Sequence, residues 1–390
     1  MTGDSTRSVH ESEPLDPGTG SITTPIYETS TFGFKKAVDV PMAVGGFGAK
    51  GYTYSRWENP TVVTLERKIA ALEHGGDGAA FSSGMAAIST SIFAFLKKGV
   101  HVLGIRDLYG GTYALLHDIL PEMGFGTDLV ETSNQDALEG GVKKNTGIVY
   151  IESPTNPTLK LVDIAKAARL AHGNGAVLMV DNTFASPVNQ NPLDLGADVV
   201  LHSVTKYING HADLIAGAAV AAKPAAHRIK MMRRDFGGTL DPFPAWLILR
   251  GMKTMAIRVR HQNASAMGLA EFLSTHRKVK AVHYPGLRAH PQHQLAKKQM
   301  KGFGGMLSFV VKGTTKDAMK FTESLKVASL AASLGGVETL VSQPYNMTHT
   351  QMTAKERAET GFPDTLVRVS VGIEDTDDLV GDFKQALAAV

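Results

Sequence analysis

The chain of 390 residues carries 40 Lys and Arg against 37 Asp and Glu, a net charge of +3, with 43% hydrophobic and 20% charged residues. This is an ordinary globular balance, long enough for two or three lobes with substantial cores, and too near neutrality to argue for nucleic acid or a membrane surface. The lack of cysteine excludes disulfides, thiolate metal sites and a cysteine nucleophile. No apolar run approaches the ~20 residues that span a bilayer, and the polar N-terminus is unlike a signal peptide. A cytoplasmic enzyme with no nucleic-acid or membrane partner is the simplest class left.

In chain order, residues 1–20 are rich in Ser, Thr, Glu, Pro and Gly without a period and read as a disordered tail. Residues 44–51 are glycine-rich and read as a loop. A helix is expected from about Thr61, with Val62, Leu65, Ile69 and Leu72 on one face. Residues 79–88 read as a strand, a tight turn and a helix. Gly84 there allows close backbone approach, and the free amides of a helix start suit a phosphate, although capping by Ser83 alone explains the same pattern. Residues 101–105 form a further strand that leads to Tyr109-Gly110-Gly111.

Three more strands follow at β-α-β spacing, so the sheet is expected to be parallel. Residues 148–151 run into Glu152-Ser153-Pro154-Thr155-Asn156. Residues 177–180 run into Asp181-Asn182-Thr183. Residues 199–201 run into His202-Ser203-Val204-Thr205-Lys206. Ligands bind at the C-terminal edge of such sheets, and this edge should collect Asn156, Asp181 and Lys206. A lysine, an aspartate and nearby hydroxyls form the kit for pyridoxal phosphate. The lysine condenses with the aldehyde, the aspartate keeps the ring nitrogen protonated, and the hydroxyls bind phosphate.

Residues 215–222 read as another apolar strand, and residues 245–272 as one long helix or two, whose methionines are core filling rather than a metal site. His290 and His293 stand at i, i+3, but no second cluster accompanies them, and no metal is expected. Residues 306–311 read as a strand. Residues 366–372 alternate like one, with Arg368 among apolar neighbours. A buried arginine calls for an anion.

The run Ser203-Val204-Thr205-Lys206-Tyr207 with Gly210-His211 resembles the Cys/Met-metabolism family of pyridoxal phosphate enzymes, and the resemblance extends from about Thr6 to the C-terminus. Ala212 stands where that family usually has serine, a position without chemistry. The resemblance implies an α/β fold of fold type I: a mostly parallel central sheet with helices on both faces, an N-terminal arm and a smaller α+β C-terminal domain. The implied division is an arm over 1–60, a cofactor domain over 61–255 and a C-terminal domain over 256–390.

It also implies roles. Lys206 holds the cofactor and acts as base, Asp181 faces the ring nitrogen, and Tyr109 stacks on the ring and protonates a leaving group. Gly84, Met85, Ser203 and Thr205 form the phosphate cup. Tyr54 and Arg56 reach the phosphate of a neighbouring subunit, in a homotetramer built from two active dimers. Arg368 clamps the substrate α-carboxylate beside Ser333 and Asn156.

The reaction implied is γ-elimination from a sulfur amino acid, giving 2-oxobutanoate, ammonia and a thiol. Ala332, Thr53 and Ala114 stand where cystathionine-cleaving relatives carry charged handles, which favours a small apolar tail such as that of methionine. Gly111, where methionine γ-lyases usually have cysteine, points the other way. The alternatives are a γ-replacement synthase, of the cystathionine γ-synthase or O-acyl-homoserine sulfhydrylase type, and a non-catalytic relative, against which Lys206 and Asp181 argue.

Overall fold

The computed structural model describes residues 3–40, 51–132, 135–347, 357 and 363–390. The glycine-rich loop expected at 44–51 lies outside them except for Gly51.

Seven strands form the larger sheet: β1 (Asp77–Phe81), β2 (His101–Ile105), β3 (Gly126–Val130), β4 (Thr146–Glu152), β5 (Val177–Asp181), β6 (Val199–Ser203) and β7 (Gly217–Ala221), in the order β1-β7-β6-β5-β4-β2-β3. The sheet is mostly parallel, as expected. The exception is β7, which runs antiparallel to both β1 and β6. The alternation of buried side chains assigns the two faces. Ala79, Phe81, Ala219 and Ala221 pack with Ala87, Ile88 and Ile92 of the helix Gly84–Phe95. Ala80, Ala218 and Val220 point the other way, onto Val62, Leu65 and Ile69 of the helix Pro60–Leu72.

The helices begin where local chemistry dictates. Asn59 caps the amide of Thr61 ahead of Pro60 at the first helical position, and Asp163 caps Lys166 at the start of Ile164–Gly173. Of the one long helix or two expected over residues 245–272, the structure has two, Pro242–Met252 and Met255–Thr275.

A second, five-stranded sheet comprises β8 (Val279–His283), β9 (Met306–Val311), β10 (Ser329–Leu330), β11 (Leu340–Ser342) and β12 (Leu366–Ser370), ordered β10-β11-β12-β9-β8. Val367 and Val369 of β12 face a core with Phe309, Phe321 and Phe383, under the helices Thr315–Glu323 and Thr376–Ala389. Period-2 geometry then turns Arg368 and Ser370 to the opposite face. That face meets the loop after β4, where the Ser308 hydroxyl donates to the Pro157 carbonyl at 2.7 Å.

The N-terminal residues depart from expectation. Asp4–His10 is a helix, with Ser8 buried. The Glu13 carboxylate pairs with Lys68, both fully out of water, and with Lys253 at 3.1 Å, while Arg260 donates to the Ser5 hydroxyl at 2.8 Å. These partners lie far along the chain, at positions 68, 253 and 260, so nothing in the local composition revealed the docking. No helix among the described residues is long and apolar enough to cross a membrane.

Candidate active site

Adjacent registry in the larger sheet brings the three anticipated strand ends together. Glu152 at the end of β4 lies beside Asp181 at the end of β5, and Asp181 lies beside Leu201 on β6. Lys206 follows β6 by three residues, and Asn156 follows β4 by four. The smaller sheet supplies the other half. The Lys206 Nζ donates to the Ser333 hydroxyl at 2.7 Å. Arg368 donates to Asn156 Oδ1 at 3.0 Å and to the Ser333 carbonyl at 3.1 Å. Lys206, Ser333, Arg368 and Asn156 therefore form one connected group.

Two features hold that group tightly. Ser333 has φ of +86°, a conformation that a side chain other than glycine seldom adopts. At Gly335 (φ +75°) a Cβ would lie 2.7 Å from the Tyr207 nitrogen, so only glycine lets this loop approach the lysine loop. The Gly335 amide donates to the Ser370 hydroxyl on β12 at 2.7 Å.

Electrostatics follow from burial. Lys206 is pushed down to about 8, chiefly by loss of water and then by the Arg368 charge. Arg368 is 3% exposed and falls to about 10 by burial. Its hydrogen bonds go to neutral oxygens, and it makes no carboxylate salt bridge among the described residues. Burial pushes Asp181 up, opposed by its hydrogen bond from the Thr183 amide at 2.9 Å. Burial and the Asp181 charge push Glu152 well above the usual carboxylate range. Tyr150, enclosed beside both acids, is pushed up by burial and then by their charge.

The turn at Ser83-Gly84 starts the helix Gly84–Phe95, with Ser83 accepting from the Ala86 amide at 3.0 Å. Helix geometry leaves the Gly84 and Met85 amides without partners in their own helix. A Cβ on Gly84 would lie 3.0 Å from the Ser203 Cβ and 3.2 Å from its Oγ, so glycine lets the helix start abut β6. Thr205 Oγ1 accepts from the Ala216 amide at 2.9 Å, and the Ser203 amide donates to Thr183 Oγ1 at 2.9 Å. Tyr109 is half exposed, and its amide donates to Glu152 Oε2 at 3.0 Å.

Tyr54 and Arg56 are not joined to this group. Both are exposed; Arg56 lies 5.6 Å from the Tyr54 ring centre and donates to the Arg234 carbonyl. Glu152 is the residue that sequence reasoning passed over. Its only sequence signal is an acid closing an otherwise apolar strand, and its partner Tyr109 lies 43 residues off along the chain.

The two histidines at i, i+3 bond to backbone instead of converging. His290 Nδ1 takes the Gln292 amide at 3.2 Å, and His293 Nδ1 meets the Pro285 carbonyl at 2.9 Å. No group of three potential metal ligands gathers among the described residues.

A lysine with a depressed pKa, an aspartate at the end of a neighbouring strand and a glycine-lined helix start define the class of pyridoxal phosphate enzyme. The sequence profile of the Cys/Met metabolism PLP-dependent enzymes matches residues 5–388, and the chain belongs to that family. It is 46% identical over 378 residues to an L-methionine gamma-lyase of Fusobacterium nucleatum subsp. polymorphum, covering 95% of this chain and 94% of the relative. It is 43% identical over 390 residues to a cystathionine beta-lyase of Lactococcus lactis subsp. cremoris, covering 99% of each. The crystal structure of cystathionine gamma-lyase from Lactobacillus plantarum, complexed with L-serine, superposes with a TM-score of 0.93 at 39% identity, covering 100% of this chain and 99% of that one.

The cofactor of the family is pyridoxal 5'-phosphate, and the residues present fit it. The cradle between Gly84 and Ser203 has no room for a further side chain, and the Asp181 carboxylate is buried at the same edge of the sheet.

Proposed function

We propose that the chain is a carbon–sulfur lyase that cleaves a sulfur amino acid by γ-elimination, releasing a thiol, 2-oxobutanoate and ammonia. The observation that carries this reading is Arg368, a buried guanidinium whose hydrogen bonds end on Asn156 and Ser333 beside the Lys206 amine. A carboxylate there would supply the missing counter-charge, and an α-amino acid would bring its amine toward Lys206. Kinship at 46% identity with a protein named L-methionine gamma-lyase supports the choice of substrate class.

Pyridoxal 5'-phosphate, when bound, supplies an electron sink for negative charge that develops at the carbon bearing the substrate amine. Lys206 would hold it covalently, Asp181 would face the ring nitrogen, and Gly84, Met85, Ser203 and Thr205 would take the phosphate, with Tyr54 and Arg56 contributed across a subunit boundary. Lys206 would take the Cα proton, hand it on to the cofactor and then take a Cβ proton, so that the Cβ electron pair expels the γ-sulfur; depression of its pKa to about 8 leaves a useful neutral fraction near physiological pH. Tyr109, tethered at its amide and half open to solvent, delivers a proton to the departing sulfur. Arg368 and Asn156 fix the carboxylate, and Ser333 orients Lys206.

Ala332 is exposed, and the Thr53 hydroxyl is buried without a hydrogen-bond partner among the described residues. Neither offers a charge to a second zwitterionic end, which favours the methyl thioether of methionine over cystathionine. The reading includes a cytoplasmic homotetramer of two active dimers and the three-part division at residues 60 and 255. Loaded protein incubated separately with L-methionine, L-homocysteine, L-cystathionine, and O-acetyl-L-homoserine plus a thiol tests it. Methanethiol from methionine is the expected product. Turnover only with the ester and thiol together would make the chain a synthase.

A further inference from the structure

Glu152 closes β4 at 4% exposure, and neither of its oxygens meets a lysine, arginine or histidine among the described residues. An unpaired carboxylate is costly to bury. Both oxygens are instead taken by backbone amides from two different loops. Oε2 accepts from Tyr109, at the end of the loop after β2, at 3.0 Å. Oε1 accepts from Asn156, in the loop after β4, at 3.0 Å. The Asn156 side chain in turn accepts from Arg368 at 3.0 Å. A chain of three hydrogen bonds thus runs from the Tyr109 amide to the Arg368 guanidinium, with Glu152 as its one side-chain carboxylate.

Capping elsewhere in this protein, as at Asn59 and Asp163, uses one side-chain oxygen on a single helix start. Glu152 ties separate segments, 43 residues apart on the Tyr109 side. A second tie holds the bases of the same loops, where Lys160 meets Asp107 at 3.1 Å.

We propose that Glu152 is a positioning residue that locks the Tyr109 loop to the Asn156–Arg368 clamp, so that gripping a carboxylate and placing Tyr109 are one event. The inference rests on the lyase reading for the roles of Tyr109 and Arg368. Glutamine keeps the shape of Glu152 but presents an NH₂ group where one of the two amides must donate, which cuts the tie and so loosens both loops together. Aspartate keeps the carboxyl group but withdraws it by one methylene from both amides.

The test uses the loaded full chain with Glu152→Gln and Glu152→Asp, the second guarding against a folding defect in the first. In both, kcat/KM for L-methionine per bound cofactor should fall roughly 10- to 100-fold, as for leaving a buried hydrogen-bonding group unpaired, with KM raised and kcat lowered together. Hydrogen exchange should accelerate at the Tyr109 and Asn156 amides in the same variant, with cofactor content per subunit unchanged. A merely structural role would lower the loaded fraction and leave KM and kcat per loaded site as they were, which overturns the proposal. So does faster exchange at one loop alone. If the unaltered protein cleaves no sulfur amino acid, the lyase reading falls, while the exchange data still decide whether Glu152 couples the loops.

Discussion

The Lys206 amine donates to the hydroxyl of Ser333 at 2.7 Å, across the junction of the two sheets. The contact joins a lysine at the end of β6 to a serine whose backbone is held at φ +86°. The reactive amine is therefore positioned by the smaller sheet, and relative movement of the two sheets would be felt at the lysine.

Lys206 sets a pH dependence. Its pKa is pushed down to about 8 by burial and by Arg368, so the free protein binds fewer protons here than the unfolded chain between about 8 and the ordinary lysine value. The unfavourable charge is fully present below pH 8 and relieved as pH rises through that window, so Lys206 by itself makes stability of the cofactor-free protein rise with pH there. The neutral amine is the nucleophile, and capture of pyridoxal 5'-phosphate should accelerate with pH and level off above about 8. Stopped-flow absorbance across pH 6–10 checks this. In Arg368→Met the midpoint should move up, because one positive neighbour is gone.

Arg368→Lys keeps a charge but not the planar fork that meets Asn156 and Ser333. The expected outcome is a loss of about 10²-fold in kcat/KM for L-methionine, equivalent to about 3 kcal/mol, carried mainly by KM. Steady-state kinetics on protein of matched cofactor content measures it.

Gly84→Ala would place a Cβ 3.0 Å from the Ser203 Cβ. Overpacking of this order costs about 1–3 kcal/mol, which here should appear as weaker cofactor binding, roughly 5- to 150-fold by the same energies. Equilibrium titration of the apo-protein reads it. Gly217→Ala is the contrast: its Cβ would fall 2.1 Å from the Ser83 carbonyl oxygen, so the turn itself should be displaced and expression of folded protein should drop.

Glu13→Ala removes the partner of a lysine wholly out of water. Breaking a buried pair from one side costs about 3–5 kcal/mol. The midpoint of urea unfolding should fall accordingly, with kcat/KM of the remaining folded protein unchanged. A wild-type midpoint would mean that the Glu13–Lys68 pair adds nothing to stability.

The sequence made the site's edge legible because parallel strands at β-α-β spacing must end on one side, which put Asn156, Asp181 and Lys206 together before any contact was known. The apolar pattern of residues 215–222 suits either strand direction, so the antiparallel setting of β7 was hidden. Arg368 was noticeable as one charge in an alternating apolar strand, but its contact with Asn156 spans 212 residues and is tertiary. The helix Asp4–His10 escaped notice for the same reason: the lysines that pair with Glu13 lie at positions 68 and 253.

The central claim is γ-elimination, and the 2-oxo acid formed from L-cystathionine by the loaded protein tests it most directly. Cleavage on the γ side gives 2-oxobutanoate with cysteine, whereas cleavage on the β side gives pyruvate with homocysteine. Chromatographic separation of the two acids should show 2-oxobutanoate, as it should also from L-methionine. Pyruvate as the main acid from L-cystathionine, with no 2-oxobutanoate from methionine, would contradict the account.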